Sequence, residues 1–380
     1  MSFSTFRFPT SINYGAGALA TLESQLTQSH CKRPLIICDR NLKDLPPMVK
    51  LIDTCDKAKL SYLIDNHSYG NPTHDHVVSG VESFRKHDAD SIIMIGGGCA
   101  LDVGKAVALM VHHPGHLFDY EDGKKDTLPI DAKKLPYTLA IPTTAGTGSE
   151  VGGSSVISCP KTHRKIIIWG EALLPKKVIA DPELTLSLPP NLTAATGIDA
   201  LTHNLEAFLA KGFHPLCDAI ALQGIQLAYE HLEKAVDEPT NLESRSNMLM
   251  SSMMGAIAFQ KGLGVTHSCA HALSTHFDLH HGLANGLMLN VCMKFNDQFV
   301  PERFLTISKS IGMESKDDFF SWLFELPSRI DLPRDLNAVG VSITDELITS
   351  ALNDPCHQNN PVPCTRETFI SLFQDSLKKP

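Results

Sequence analysis

The sequence predicts an α/β domain built on a mostly parallel sheet, followed by an all-helical domain. Three observations carry that expectation. Between residues 34 and 182 short β-rich runs alternate with helical stretches, the pattern of βαβ units. Beyond Asp181-Pro182 the apolar residues recur every three or four positions and no β-rich run remains. Two of the early runs end in glycine- or hydroxyl-rich turns, at the carboxyl ends of strands where open α/β sheets hold ligands. The boundary is expected near 182–190, giving domains of 1–185 and 186–380.

Composition fits this layout. A chain of 380 residues, 43% hydrophobic and 20% charged, has enough apolar material for two full cores. Its formal net charge of −9 argues against a nucleic-acid partner, whose recognition needs a basic surface, and points to a small molecule. The N-terminal stretch shows no basic segment followed by an apolar run, and no run reaches the roughly 18 apolar residues of a membrane span. A cytoplasmic location is therefore expected. The ten cysteines form no CxxC pair, and Cys38, Cys99 and Cys292 lie inside apolar runs, as reduced thiols packed as small hydrophobes do.

In chain order, the expected strands are PLIICD (34–39), LSYLID (60–65), SIIMIGGG (91–98), YTLAIPTT (137–144), KIIIWG (165–170) and KVIAD (177–181). The polar segment 120–136, broken by Gly and Pro, reads as a surface loop. Asp39 ends the first of these strands, where its carboxylate suits a ribose diol and repels a 2′-phosphate, favouring NAD over NADP; it equally suits a turn cap. Gly96-Gly97-Gly98-Cys99 leads into a helical pattern from Ala100 to Val111 that Pro114 stops. Glycines let backbone amides approach a pyrophosphate and the helix start adds partial positive charge, although three glycines also suit a plain tight turn and the spacing is not GxGxxG. Pro142 to Glu150, PTTAGTGSE, offers hydroxyl donors to phosphate or ribose, or caps the next element.

The second half opens with SLPPNLTAATGIDALTHNLEAFLA, whose prolines mark a start and whose Ala195, Ile198, Leu201, Leu205 and Phe208 mark a buried helix from about Thr193. Helical periodicity returns at 216–236, 244–260, 302–312, 316–326, 344–354 and 366–377. In the first of these helices Asp199 and His203 lie four apart on an apolar background, where a carboxylate is costly unless paired or bound to a metal. The stretch Gly264 to Asn290 holds five histidines, at 267, 271, 276, 280 and 281, with His267 and His271 one helical turn apart. Two histidines at helical spacing also occur as solvated or core-satisfied side chains. Taken together, Asp199, His203 and two of the later imidazoles would place one oxygen and three nitrogens around Fe²⁺, Zn²⁺ or a neighbouring transition metal, a poor set for Ca²⁺ or Mg²⁺. An Asp–His hydrogen bond stitching helices is the alternative.

GGGCALDVGKA, AIPTTAGTGSEV, TGIDALTHNLEAF and GVTHSCAHALSTHFDLHHGLANGLML stand in the order and spacing of the iron-containing (group III) alcohol dehydrogenases, and the INYGAGAL opening also resembles that family. The resemblance covers nearly the whole chain. It implies a dinucleotide-binding α/β domain and an all-helical domain, together of dehydroquinate synthase-like architecture, a metal in the cleft between them, and a homodimer or larger homo-oligomer. Carried over by motif, the metal ligands are Asp199, His203, His267 and His281. His271 matches a position beside the nicotinamide that relays the substrate proton, so the resemblance replaces a pairing of His267 with His271 on the metal. Asp39, Gly97, Gly98, Asp102, Thr143, Thr144, Thr147 and Lys165 match cofactor contacts, and His276 and His280 are left as bystanders.

The family's GGGS is here GGGC, so Cys99 lacks a good hydroxyl donor while the backbone amides remain. The implied activity is metal-dependent hydride transfer between a small alcohol, or its aldehyde or ketone, and NAD(H), with Fe²⁺ or Zn²⁺ as Lewis acid. The alternatives on the same scaffold are a polyol dehydrogenase of the glycerol type and a dehydroquinate-synthase-like lyase. A non-catalytic metal- and nucleotide-binding sensor is the reading from another class.

Overall fold

The computed structural model describes residues 8, 10–159 and 164–377, and through its first half strands and helices alternate. They are β1 (Ser11–Tyr14), α1 (Leu22–Gln28), β2 (Pro34–Asp39), α2 (Pro46–Lys57), β3 (Leu63–Ser68), α3 (His74–His87), β4 (Ser91–Gly96), α4 (Gly98–Met110), β5 (Tyr137–Pro142), β6 (Ser154–Cys159), β7 (Arg164–Trp169) and β8 (Lys177–Ala180). Six of the strands form one parallel sheet in the order β1-β8-β5-β4-β2-β3. β2 and β4 are apolar at nearly every position because helices cover both faces of such a sheet. Leu22, Leu26, Ile36, Ile93, Ile95, Ile141 and Ile179 share one of its buried layers. From β2 the chain steps outward to β3 and then crosses back to β4, so the order reverses between β2 and β4. The crevice at such a reversal is where these sheets bind ligands.

Two strand expectations need correction. The strand expected at 60–65 lies at Leu63–Ser68, because Lys59 takes a left-handed φ of 53° and the Leu60 amide still closes the preceding helix on the Cys55 carbonyl. The run KIIIWG does not join the parallel sheet. It pairs antiparallel with β6, a strand that sequence patterning missed, in the register Ser155↔Ile168 and Ile157↔Ile166. Four residues separate the two strands, whereas a parallel partner needs a crossover of about a dozen residues or more. β6 alternates half-buried and buried, as a one-sided hairpin should. The N-terminal residues that bear on a leader segment lie largely outside the described residues.

From residue 190 onward the regular elements among the described residues are all helical: α5 (Pro190–Leu209), α6 (Pro215–Asp237), α7 (Leu242–Ala258), α8 (Val265–Phe277), α9 (His281–Asp297), α10 (Pro301–Ser310), α11 (Lys316–Arg329), α12 (Asp345–Asn353) and α13 (Arg366–Leu377). α5 starts on Pro190, where a missing N–H costs nothing, and is buried at every position from Thr193 to Leu209. A helix buried on all sides belongs at the centre of a bundle. Its Leu201, Leu205 and Phe208 share a core with Ile225, Leu232, Met248, Phe304 and Phe319, while α8, α9, α12 and α13 close a second core around Leu273, Met288, Leu347 and Phe369.

The chain groups into two compact units. The α/β unit takes the described residues from Thr10 to Thr144 and Gly148–Leu188. The helical unit takes Ala145–Thr147 and the described residues from Pro189 onward. No helix among the described residues is long and apolar enough to cross a membrane.

Candidate functional site

In the helical unit α5 carries Asp199, His203 and Glu206 at spacings of four and three, which puts all three on one side of the helix. α8 supplies His267 from its first turn, and α9 begins on His281. Gly282 sets the approach of α9 to α5: a Cβ there would stand 1.9 Å from the Ala195 carbonyl oxygen and 3.3 Å from Asp199 Cβ. Any larger residue would push His281 away from Asp199.

These elements bring ligand atoms of Asp199, His203, His267 and His281 within 4.8 Å of one another. Asp199 Oδ1 lies 3.8 Å from His203 Nε2, 3.8 Å from His267 Nε2 and 3.6 Å from His281 Nε2. Those separations are too long for hydrogen bonds and a few tenths of an ångström wider than the roughly 3.4 Å edge of a tetrahedron with ~2.1 Å metal bonds.

The surrounding hydrogen bonds decide what the four atoms present. His267 Nδ1 is 2.7 Å from Glu206 Oε2 and His203 Nδ1 is 3.3 Å from the Gly146 carbonyl oxygen. Both partners are acceptors, so each Nδ1 carries a proton, and in the neutral imidazole each Nε2 faces Asp199 with a lone pair. The Asn285 amide donates to Asp199 Oδ1 at 2.7 Å and lies 3.3–3.4 Å from the Nε2 atoms of His281 and His267. Lone pairs and a carboxylate oxygen converging in a buried space repel one another unless a cation lies between them, so the donor set fits a divalent transition metal.

Burial drives the His203 pKa down to about 4 against the pull of Asp199, which keeps this imidazole neutral. Burial also opposes charge on His267. The Glu206 hydrogen bond and charge outweigh it and hold that pKa above the ordinary value. Burial would raise the Glu206 pKa, but His267, with the Thr266 and Gly264 amides at 2.6 and 2.8 Å, lowers it below the usual range.

His271 stands outside the four-residue set. Its ring stacks on His281 with centroids 5.2 Å apart, and Nδ1 lies 2.7 Å from Asp354 Oδ2. Burial would raise the Asp354 pKa, yet His271, the Cys356 amide and Ser268 hold it well below the ordinary carboxylate range. His271, Asp354 and Cys356 are themselves close enough to be considered as ligands. The 2.7 Å contact is a charge-assisted hydrogen bond, shorter than the roughly 3 Å or more between neighbouring ligands of one metal. His276 and His280 are exposed, and neither belongs to the four-residue set.

The cofactor residues expected in the α/β unit gather at the ends of three adjacent strands. Asp39 closes β2, Gly97 and Gly98 follow β4, and Thr143 and Thr144 follow β5. Thr143 N donates to the Gly96 carbonyl at 3.0 Å, extending the β4–β5 pairing by one step. Gly96 has a φ of 145°, and a Cβ at Gly97 would meet Thr144 Oγ1 at 3.3 Å. The N-cap of α4 is Gly97, which has no side chain to cap the first amides of the helix, and such amides suit an anion. This cradle of bare backbone fits a pyrophosphate.

Asp39 Oδ1 accepts from Asn41 N at 2.8 Å, so the acid does cap a turn, and burial raises its pKa. Asp102 is engaged by Ser149 Oγ at 2.6 Å, Val156 N at 3.1 Å and Lys105 Nζ at 3.1 Å, which ties α4 to the β6–β7 hairpin. Lys165 sits on β7 of that hairpin, in a different sheet from the other α/β residues, and Thr147 groups with the helical unit.

Sequence reasoning missed Glu206, Asn285 and Asp354. Glu206 had a signal: a third polar residue in phase with Asp199 and His203 on an otherwise apolar helix. Asn285 lies one turn after His281. Asp354 is 83 residues from His271, and nothing local marks it.

Residues 9–182 match the family model for iron-containing alcohol dehydrogenase, and residues 193–377 match the C-terminal model of the same family. The chain is 32% identical over 379 residues to a 4-hydroxybutyrate dehydrogenase of Cupriavidus necator, covering 97% of this chain and 98% of that one. Among solved structures, a 1,3-propanediol oxidoreductase superposes with a TM-score of 0.93 at 30% identity, covering 98% of this chain and 100% of that one. A sulfoacetaldehyde reductase of Bifidobacterium kashiwanohense in complex with NAD⁺ superposes with a TM-score of 0.90 at 28% identity, covering 100% of both.

Proposed function

The chain belongs to the iron-containing alcohol dehydrogenase family and is an NAD-dependent alcohol oxidoreductase, and from that premise we propose a role for each residue of its two sites. Asp199, His203, His267 and His281 hold the metal; when bound, the metal supplies a Lewis-acid charge for the alcohol and NAD supplies the hydride acceptor. The donors suit Fe²⁺, with Zn²⁺ suited to the same set and metal supply deciding between them. Glu206 and Gly146 orient His267 and His203 through their Nδ1 protons, and Asn285 orients Asp199.

The reaction converts an alcohol and NAD⁺ to the carbonyl compound, NADH and a proton. His271 accepts that proton at Nε2, since its Nδ1 is committed to Asp354. Gly97 and Gly98 give the pyrophosphate its room at the start of α4, and Thr143, Thr144 and Thr147 donate hydroxyls to phosphate or ribose. Asp39 takes the ribose diol and favours NAD over NADP. Asp102 acts by holding α4 in place, and Lys165 reaches toward the cofactor from the hairpin. By family resemblance the protein works as a homodimer or larger homo-oligomer in the cytoplasm. The names of the relatives point to short primary alcohols with a second polar group as the substrate class.

The convergence of one carboxylate oxygen and three Nε2 lone pairs is the observation that carries this reading. An anaerobic assay of metal-free protein restored with Fe²⁺ or Zn²⁺, against primary alcohols, diols and short aldehydes, tests it. Metal-dependent NADH formation from a short alcohol is expected. NADH binding without turnover of any member of the panel would instead favour a sensor.

A further inference from the structure

Asp354 lies at the end of α12, far from every ligand in sequence, yet its carboxylate is fixed at both oxygens. Oδ2 accepts from His271 Nδ1 at 2.7 Å. Oδ1 accepts from Ser268 Oγ at 2.8 Å and from Cys356 N at 2.9 Å. Ser268 is held in turn, because its Oγ accepts from His357 N at 2.9 Å. The side chains of His271 and Asp354 retain only 15% and 13% of their exposure, so water competes weakly for this contact.

A carboxylate only accepts, so this contact fixes the imidazole as the Nδ1–H tautomer and leaves the lone pair on Nε2. The ring plane is set from the other side by stacking on His281, at 20° and 5.2 Å. Free imidazole samples both tautomers and rotates about its side-chain bonds; here neither freedom remains.

We propose that Asp354 is a positioning residue for the hydride-transfer reaction, holding His271 in the tautomer and orientation that present Nε2 to the proton released from the substrate. The inference rests on the relay role given to His271 above. Asp354 lies outside the four-residue metal set. Its effect runs wholly through the imidazole, as in other His–Asp pairs where the acid orients a histidine that moves the proton.

The isosteric Asp354→Asn variant tests this, with Asp354→Glu and His271→Ala alongside. In Zn²⁺-loaded protein labelled with ¹⁵N-histidine, the wild-type His271 signal, assigned by its absence from His271→Ala, should show a protonated Nδ1 and a bare Nε2. Asp354→Asn should populate the Nε2–H tautomer, because the amide can donate to Nδ1. It should also lower kcat by roughly 10- to 100-fold, with KM for the alcohol and metal content within about twofold of wild type. Asp354→Glu should recover part of the lost kcat. In a His271→Ala background Asp354→Asn should cost less than about twofold more, since both changes remove one function.

An unchanged tautomer in Asp354→Asn, or a kcat within about twofold of wild type while His271→Ala is impaired, overturns the role of Asp354 and leaves the relay standing. Wild-type kcat in His271→Ala removes the relay itself, and Asp354 with it.

Discussion

Asp199, His203, His267 and His281 project from three helices and meet as side-chain atoms, each braced by groups buried beside it. Gly97, Gly98 and the Thr143–Thr144 turn stand at the ends of parallel strands and offer mainly bare backbone, with space where side chains would be. The first site is defined by what is present and the second by what is missing. Removing atoms should therefore break the proposed metal cluster, and adding atoms should break the proposed cradle.

The largest effect is expected at His281. His281→Ala should abolish metal retention and turnover while NADH binding, read by fluorescence, persists. Full metal content in the purified variant would remove His281 from the ligand set. Glu206→Gln should come next. It leaves the ligands in place but weakens the acceptor that fixes the His267 tautomer, so metal affinity measured with a competing chelator should fall by roughly 10- to 100-fold.

On the other side of the comparison, Gly97→Val should weaken NADH binding by about tenfold or more without changing metal content, because its side chain grows into the space beside Thr144. Unchanged NADH affinity would place the cofactor elsewhere.

The smallest functional effect is expected from a second contrast, between two buried acids. Glu206 has three donors on its carboxylate, whereas Glu150 is fully buried with Oε1 unpartnered. Burial pushes the Glu150 pKa from 4.5 up to about 7, with only partial relief from its own amide and Lys105. A raised folded-state pKa means that the favourable contribution is complete below about 4.5 and is lost as pH rises through about 7. Glu150→Gln should flatten that slope and stabilise the protein at pH 8 by about 1 to 2 kcal/mol, with turnover unchanged. Denaturant melts from pH 4 to 8 check it, and parallel curves for the two proteins would contradict it.

The same contrast explains which features were legible in the sequence. Side-chain sites announce themselves by residue type, so Asp199 and His203 at i, i+4 and the histidines of 267–281 pointed to a metal. Strand ends announce themselves by glycine, so GGGC marked the start of α4. The two-part architecture followed from periodicity alone. Periodicity could not tell β7 from a strand of the main sheet, because pairing direction depends on the length of the connection and not on the run itself. Nor could it separate His271 from His267, which stand one turn apart. Their surroundings differ through partners on other elements, Glu206 on α5 and Asp354 after α12. Such braces are set by tertiary contact and leave little local trace.

The metal cluster is tested most directly by X-ray absorption at the metal edge of protein loaded with Zn²⁺. The expected result is a first shell of nitrogen and oxygen at roughly 2.0–2.2 Å, with the multiple scattering of three imidazoles and no sulfur. A sulfur shell near ~2.3 Å, or fewer than three imidazoles, would contradict it.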